Sequence, residues 1–437
     1  MKKAALILLI IFLVTAGSVT TEYMSYGKPV PEAAADTAEG EAAEVLYVLT
    51  DEGSSGIRKL PYEIFRFKGW DVMAEIKWYF TPEEEKVLTF MSLEQKIGQL
   101  FMVRPEAVSG STSMTGSMWD ALMEKKPGGI IMFGDNIIDP DQIRTFNKEL
   151  MKASSEYCLG QPMFIAVDEE GGLVARVANN WNFDVKRYDS MLAVGNTGDP
   201  SEAEAVGDNI GRYLKNLNFN LDLAPVADCF TNPYNTVIGD RSFGADPELV
   251  ADMVGACIKG FHSQEVMTSI KHYPGHGETD SDTHTGTVMT YRSWEELKER
   301  ELIPFIRNLD ITDMVMAAHI VSEGVTGDGV PATLSHVMIQ EKLRDELGYE
   351  GVVITDAMEM GAISSVYSSD EAAILAINAG CDIILCPMDF GRAYEGLMEA
   401  VKDGRVTQER IDESVLRILR LKLKYRMVEA DSINNSL

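Results

Sequence analysis

Short, nearly unbroken apolar runs punctuate the chain from about residue 97 onward, each closed by turn-forming or acidic residues. They read IGQLFMV, GGIIMFG, PMFIAVDEE, FNLDLAPVAD, VMTSIKHYPG, DMVMAAHIV, GVVITDAM and CDIILCP. Strands that are apolar throughout, instead of alternating, are those buried on both faces of a parallel sheet. Between most of them lie stretches of helical period, such as DPELVADMVGACIKGFHSQ and SHVMIQEKLRDELG. Eight strand–helix units in roughly 340 residues predict an α/β fold, a single (β/α)8 barrel. A doubly wound open sheet is the alternative, but no GxGxxG turn follows the first strand. Two helix starts are marked by caps. Ser92 and Gln95 stand at capping-box spacing, and Thr81 precedes Pro82 at the head of TPEEEKVLTF.

The pattern differs at the amino end. Lys2 and Lys3 precede an apolar run from Ala4 to Val14, and small residues follow at Ala16, Gly17 and Ser18. This reads as an export segment over residues 1–21. The run is short for a bilayer span of ~20 residues, although an uncleaved membrane anchor stays open if Thr15 to Val19 extend it. Residues 22–45, rich in Ala and Glu, have too little apolar surface to offset ordering and read as a linker. Residues 46–90 form an extension of unassigned structure, 91–427 the barrel, and 428–437 a tail.

Composition narrows the function without altering the fold. Of 437 residues, 45% are hydrophobic, enough for a full-sized core, and the formal charge is −29. That excess repels nucleic acid and anionic membrane surfaces, and no basic cluster interrupts it. Cys158, Cys229, Cys257, Cys381 and Cys386 are scattered and match neither a disulfide framework nor a CxxC metal pattern. They read as small buried hydrophobes.

Candidate chemistry gathers where the apolar runs stop, which in such barrels is the catalytic end. Asp168, Glu169, Glu170, Asp228, Lys271, His272, His319 and Asp356 all stand there. Asp356 sits between GVVI and a stretch that reads as helical, so it is either a helix N-cap or a carboxylate able to attack an electrophilic carbon. The run SIKHYPGHGETDSDTHTGTV holds three of the six histidines. Within it Asp282 and His284 stand two apart, so the carboxylate can fix the imidazole's tautomer for proton transfer. A solvated turn is the plainer alternative. A metal set of His272, His276, Asp282 and His284 has spacings that fit no zinc pattern, so no metal or other cofactor is expected.

The segment KHYPGHGETDSDTH resembles the signature of glycoside hydrolase family 3, in its β-N-acetylglucosaminidase (β-N-acetylhexosaminidase) branch. KIGQLFMV, GGIIMFGDNI, FIAVDEEGG, NFNLDLAPVAD, GDRSFG, VMAAHI, PATLS, GVVITDAMEMGAI and RIDESVLRILRLKLKY agree in order, from about Leu93 to Tyr425. The resemblance implies a retaining hydrolase acting on terminal GlcNAc of cell-wall (peptidoglycan) fragments or related glycans, and the amino-terminal segment adds the expectation of export to the cell surface or beyond. It implies Asp356 as nucleophile, His284 as acid/base and Asp282 as the partner of that histidine. It implies Asp168, Arg241, Lys271 and His272 around the sugar ring, with His319 lining the same pocket and Glu169, Glu170 and Asp222 in support. One departure is EGGLVARV, where Leu173 replaces the arginine that commonly follows the glycines and Arg176 comes three positions later. A phosphorylase, with phosphate replacing water, is the alternative activity; a glycan-binding barrel without catalysis is the third reading.

Overall fold

The computed structural model describes residues 9–15, 18–24, 66–67, 70–71, 83–109, 112–157, 162–279, 283, 286 and 288–425. The chain divides into two compact units, 1–81 and 82–437. In the first, Leu9–Thr15 pairs antiparallel with Ser18–Met24, and Arg66–Phe67 with Trp70–Asp71. The rest of the expected export segment, nearly all of the linker, most of 46–80, Thr81, Pro82, Cys158 and the tail 428–437 lie outside the described residues.

All eight apolar runs of the second unit become strands: β1 Phe101–Val103, β2 Gly129–Met132, β3 Phe164–Val167, β4 Leu221–Asp222, β5 Met267–Tyr273, β6 Met314–Ala317, β7 Val352–Thr355 and β8 Ile384–Leu385. They form one parallel sheet in the order β7-β6-β5-β4-β3-β2-β1-β8. A parallel bridge between Ile354 and Ile383 joins β7 to β8 and closes the ring. The open-sheet alternative is thereby excluded.

The lack of sequence alternation is explained by two separate cores. Met102, Ile131, Phe164, Ala166, Met267, Met314, Met316, Val352 and Ile354 pack together inside the ring. The intervening Val103, Ile130, Ile165, Val167, Val315 and Val353 pack with the helices outside. Every second residue thus faces a different apolar layer, and burial of each stabilises by roughly 1.5–3 kcal/mol.

Helices start as their caps dictate. The Ser92 hydroxyl accepts from Gln95 N–H while the Gln95 side chain accepts from Ser92 N–H, setting Leu93–Gln99. Pro247–Ser263 fills the first helical stretch singled out by period. Its counterpart Val337–Glu346 is helical but wound as a π-helix. Glu83–Phe90 belongs to the barrel unit: Val87 is buried in the outer core and Glu84 pairs with Arg420 at 3.0 Å. Cys229, Cys257, Cys381 and Cys386 are free and buried.

The end of the ring where strands begin is locked by ions. Asp382, before β8, accepts from Arg344 (2.6 Å), Arg417 (3.1 Å), Ser414 Oγ (2.6 Å) and Val353 N–H (2.9 Å). Asp313, before β6, takes Lys424 Nζ at 2.7 Å and His262 Nε2 at 2.8 Å. The opposite end is left for chemistry.

Candidate active site

Asp168 follows β3 directly, Asp356 follows β7, and Lys271 and His272 lie near the end of β5. The strand ends therefore bring together groups separated by up to 188 residues in sequence. At the centre is a buried ionic lattice. Lys271 Nζ lies 2.7 Å from Asp168 Oδ1 and 2.6 Å from Glu170 Oε1. Arg241, on the loop after β4, forks onto Glu170 with two bonds of 2.8 Å and donates to the Val237 carbonyl at 2.9 Å. Burial pushes the Glu170 carboxyl up, but Arg241 and Lys271 pull it well below the usual carboxylate range. Burial likewise works against the Lys271 ammonium, and Asp168 and Glu170 more than reverse this.

His272 is oriented by a group whose role the sequence did not assign. Asp228, at the end of the run through β4, accepts from His272 Nδ1–H at 2.6 Å and from His272 N–H at 3.2 Å. Its other oxygen accepts from His276 N–H at 2.6 Å. Arg241 Nη2 approaches His272 Nε2 at 3.3 Å, and a guanidinium only donates. Nδ1 therefore carries the proton and Nε2 accepts. Burial pushes Asp228 up, yet the neighbouring His272 and the His276 N–H hold it below its ordinary value.

Asp356 is partly exposed at the mouth. Its Oδ1 accepts from Ala357 N–H at 2.7 Å. Burial pushes its carboxyl up, but His319, His272, that N–H and Lys271 together bring it below the ordinary aspartate value. It caps no helix: the next one, Gly361–Ser364, starts from Met360. The residues between fold over β8, with Met358 N–H donating to the Leu385 carbonyl at 2.9 Å. His319 is fully buried, with Nε2–H donating to the Ala357 carbonyl at 3.0 Å and Nδ1 3.0 Å from Thr333 Oγ1. The Nε2–H bond thus holds the turn that carries Asp356, while Nδ1 faces Thr333 on the segment after β6.

Asp282 and His284 lie outside the described residues. Thr283, between them, is buried, and its carbonyl accepts from Ala362 N–H at 3.1 Å, six residues beyond Asp356. The loop is gripped where it leaves β5. Asn235 donates to the His276 carbonyl at 2.7 Å and Asn232 to the Thr279 carbonyl at 3.1 Å. A side chain at Gly277 would meet the Cys229 carbonyl at 1.8 Å, so only glycine lets the two loops touch. Burial lowers the His276 pKa, and its Nδ1 sits 2.7 Å from Thr279 Oγ1.

Glu169 and Asp222 act beneath the site. Glu169 accepts from Val177 N–H, Ala178 N–H and Tyr213 Oη, which fixes the loop after β3, and Asp222 accepts from Glu169 N–H at 2.9 Å. Burial pushes Asp222 well up. Leu173 is 74% exposed, whereas Arg176 brings Nη2 to 3.9 Å from Asp168. Next to Asp168 is an open cleft of about 540 Å³ lined by Arg104, Phe133, Leu173, Arg176 and Asn180 among others. Among the described residues, no group of three or more His, Cys, Asp or Glu is arranged to hold a metal ion.

Asp228 and Glu170 were visible in the sequence as polar residues at strand ends, Glu170 also as a supporting residue. Their partners were not, because Asp228–His272 and Glu170–Arg241 join positions 44 and 71 residues apart.

Residues 92–421 match the family described as the glycosyl hydrolase family 3 N terminal domain. The beta-hexosaminidase A of Pseudoalteromonas piscicida is 34% identical over 322 residues, 68% of this chain. That match spans only 53% of the relative's own length. The beta-hexosaminidase of Tolumonas auensis is 33% identical over 262 residues, 59% of this chain and 75% of the relative. Among solved structures, a glycoside hydrolase family 3 beta-N-acetylglucosaminidase from Paenibacillus superposes with a TM-score of 0.73. It is 37% identical, with 77% of this chain and 63% of that one covered.

Proposed function

Because the chain belongs to glycosyl hydrolase family 3, we propose that it is a retaining β-N-acetylglucosaminidase that removes terminal GlcNAc from glycans. The observation that carries this reading is Asp356: a carboxylate kept ionised at the mouth, beside the Asp168–Lys271–Glu170–Arg241–His272 lattice. Such a lattice offers fixed donors and acceptors to the hydroxyls of one sugar ring, and a low-pKa aspartate is a competent nucleophile.

In the first step Asp356 attacks the anomeric carbon and the bond to the leaving oxygen breaks. His284, as imidazolium, gives its proton to that oxygen, so the aglycone departs as an alcohol. A covalent glycosyl-aspartate results. In the second step neutral His284 takes a proton from water as the water oxygen attacks the same carbon. Asp356 is freed and the sugar leaves with its configuration retained. Asp282 orients the imidazole and balances its charge. The docking of Thr283 onto Ala362 supports this assignment, since it fixes the residue between the pair close to the turn that bears the nucleophile.

The substrate is proposed to be a cell-wall (peptidoglycan) fragment or a related glycan met outside the cell, after export directed by the first 21 residues. The basic start and apolar run of that segment support the location. An aryl β-N-acetylglucosaminide tests the activity. It should be hydrolysed with release of free GlcNAc whether or not phosphate is added, and Asp356→Asn should lower kcat by at least about a thousandfold. Release of a sugar 1-phosphate would point to phosphorolysis instead, and uncleaved substrate with folded protein would contradict both.

A further inference from the structure

We propose that Glu278 and Arg292 form a staple across the base of the acid/base loop and that this staple positions the proton donor; the inference rests on the roles given above to His284 and Asp282. Glu278 lies four residues before Asp282, and Arg292 eight residues after His284. One Glu278 oxygen accepts from Thr290 Oγ1 and the other from Arg292 Nε. The outgoing and returning arms of the loop are thus joined side chain to side chain.

Among the described residues, the other restraints on the loop named above act on one arm or on its middle. Asn232 and Asn235 hold the outgoing arm, and Thr283 holds the middle through Ala362. The returning arm, Val288–Thr290, pairs with Ile320–Ser322 after β6. Of these contacts, the Glu278 bonds tie one arm to the other.

Beneath the staple lies Glu301, fully buried, with neither carboxylate oxygen hydrogen-bonded. Arg292 Nε stands 3.8 Å from it and Arg300 Nε 3.7 Å. Arg292 therefore sits between two carboxylates and is bonded to one. Glu278 fixes which carboxylate Arg292 engages, since without its charge Glu301, at 3.8 Å, is the carboxylate left beside the guanidinium. Gly275 keeps the outgoing arm close to the same carboxylate, because a side chain there would meet Glu301 Cβ at 2.8 Å.

Glu278 and Arg292 touch no reacting atom in the proposed mechanism; they are positioning residues. A staple that aims a proton donor matters most when the leaving group needs a proton. Glu278→Gln and Arg292→Lys are therefore compared with wild type by kcat/KM on two β-N-acetylglucosaminides, one with 2,4-dinitrophenol and one with phenol as leaving group. The expected result for Glu278→Gln is activity within about threefold on the activated substrate and a loss of at least about tenfold on the phenyl one. Arg292→Lys, which keeps the charge, should recover part of the phenyl activity relative to Arg292→Ala. Equal losses on both substrates, or no loss on either, overturn the staple as a positioning device. If Glu278→Gln does not fold, Glu278→Asp gives the same two ratios under the same criterion. His284→Ala is run alongside. If it shows no leaving-group dependence, the acid/base assignment falls and the staple with it; if it does while Glu278→Gln does not, only the staple falls.

Discussion

Asp228 commits both carboxylate oxygens to the segment that begins the loop after β5, receiving His272 Nδ1–H on one and His276 N–H on the other. An asparagine there would turn an amide donor either toward His276 N–H, losing that bond, or toward His272, forcing the ring into the other tautomer. Its Nε2–H would then face the Arg241 guanidinium, donor against donor. Loss of a charged, buried hydrogen bond costs about 1.5–3 kcal/mol. Asp228→Asn is therefore expected to lower kcat/KM roughly ten- to a hundredfold. Steady-state kinetics on an aryl β-N-acetylglucosaminide checks this, and an unchanged value would mean that the tautomer is set elsewhere. Single residues were only partly legible in the sequence. Asp168, Lys271, His272 and Asp356 could be placed at strand ends because an apolar run stopping at a polar group is a local signal. The partnership of Glu170 with Arg241 is a tertiary fact, and the two-position spacing of Asp282 and His284 does not state what lies opposite.

At the scale of elements, strands and loops obey different rules. The strands were legible because each is apolar on both faces, the inner residues meeting one another and the outer ones meeting helices. The stretch after β7 was not: AMEMGAI has helical period, yet only Gly361–Ser364 is helical. Two long-range bonds override the local preference, Met358 N–H to the Leu385 carbonyl and Ala362 N–H to the Thr283 carbonyl. Val337–Glu346 was likewise expected as a helix, but its π winding cannot be read from apolar spacing. The loop after β5 depends on close backbone contact at Gly277. Gly277→Ala would drive a methyl into the Cys229 carbonyl, so one loop must move. The expected outcome is a fold that survives with kcat/KM reduced by about tenfold or more, as misplacement of a catalytic group by an ångström can cost ~100-fold. Wild-type kinetics in that variant would show that the contact is unimportant to the loop.

The whole molecule separates stability from chemistry along the barrel axis. Arginines crowd Asp382 at one end, while the lattice around Glu170 fills the other. Asp382→Ala leaves buried guanidiniums without their counter-ion and is expected to cost about 3–5 kcal/mol, read as a lower urea midpoint. Activity per folded molecule should stay near wild type, since Asp382 lies at the end away from Asp356. A proportionate loss of activity in fully folded protein would contradict this division.

Glu170, Asp228, Asp356 and Asp382 all titrate below their ordinary values, burial opposing and neighbouring cations or donors prevailing. Carboxylates depressed in the folded state add stability that is fully present above about pH 4 and is lost as pH falls through the lowered values. Burial shifts Asp222 the other way, so its contribution is present at low pH and lost as pH rises through its raised value.

The proposed mechanism requires that Asp356 become covalently attached to the sugar. Incubation with a fluorinated GlcNAc analogue that slows hydrolysis of the intermediate, followed by proteolysis and mass spectrometry, measures this directly. One added sugar per chain is expected, on the peptide containing Asp356, and no label in Asp356→Asn. A label on another carboxylate, or complete turnover with inverted configuration and no adduct, would contradict it.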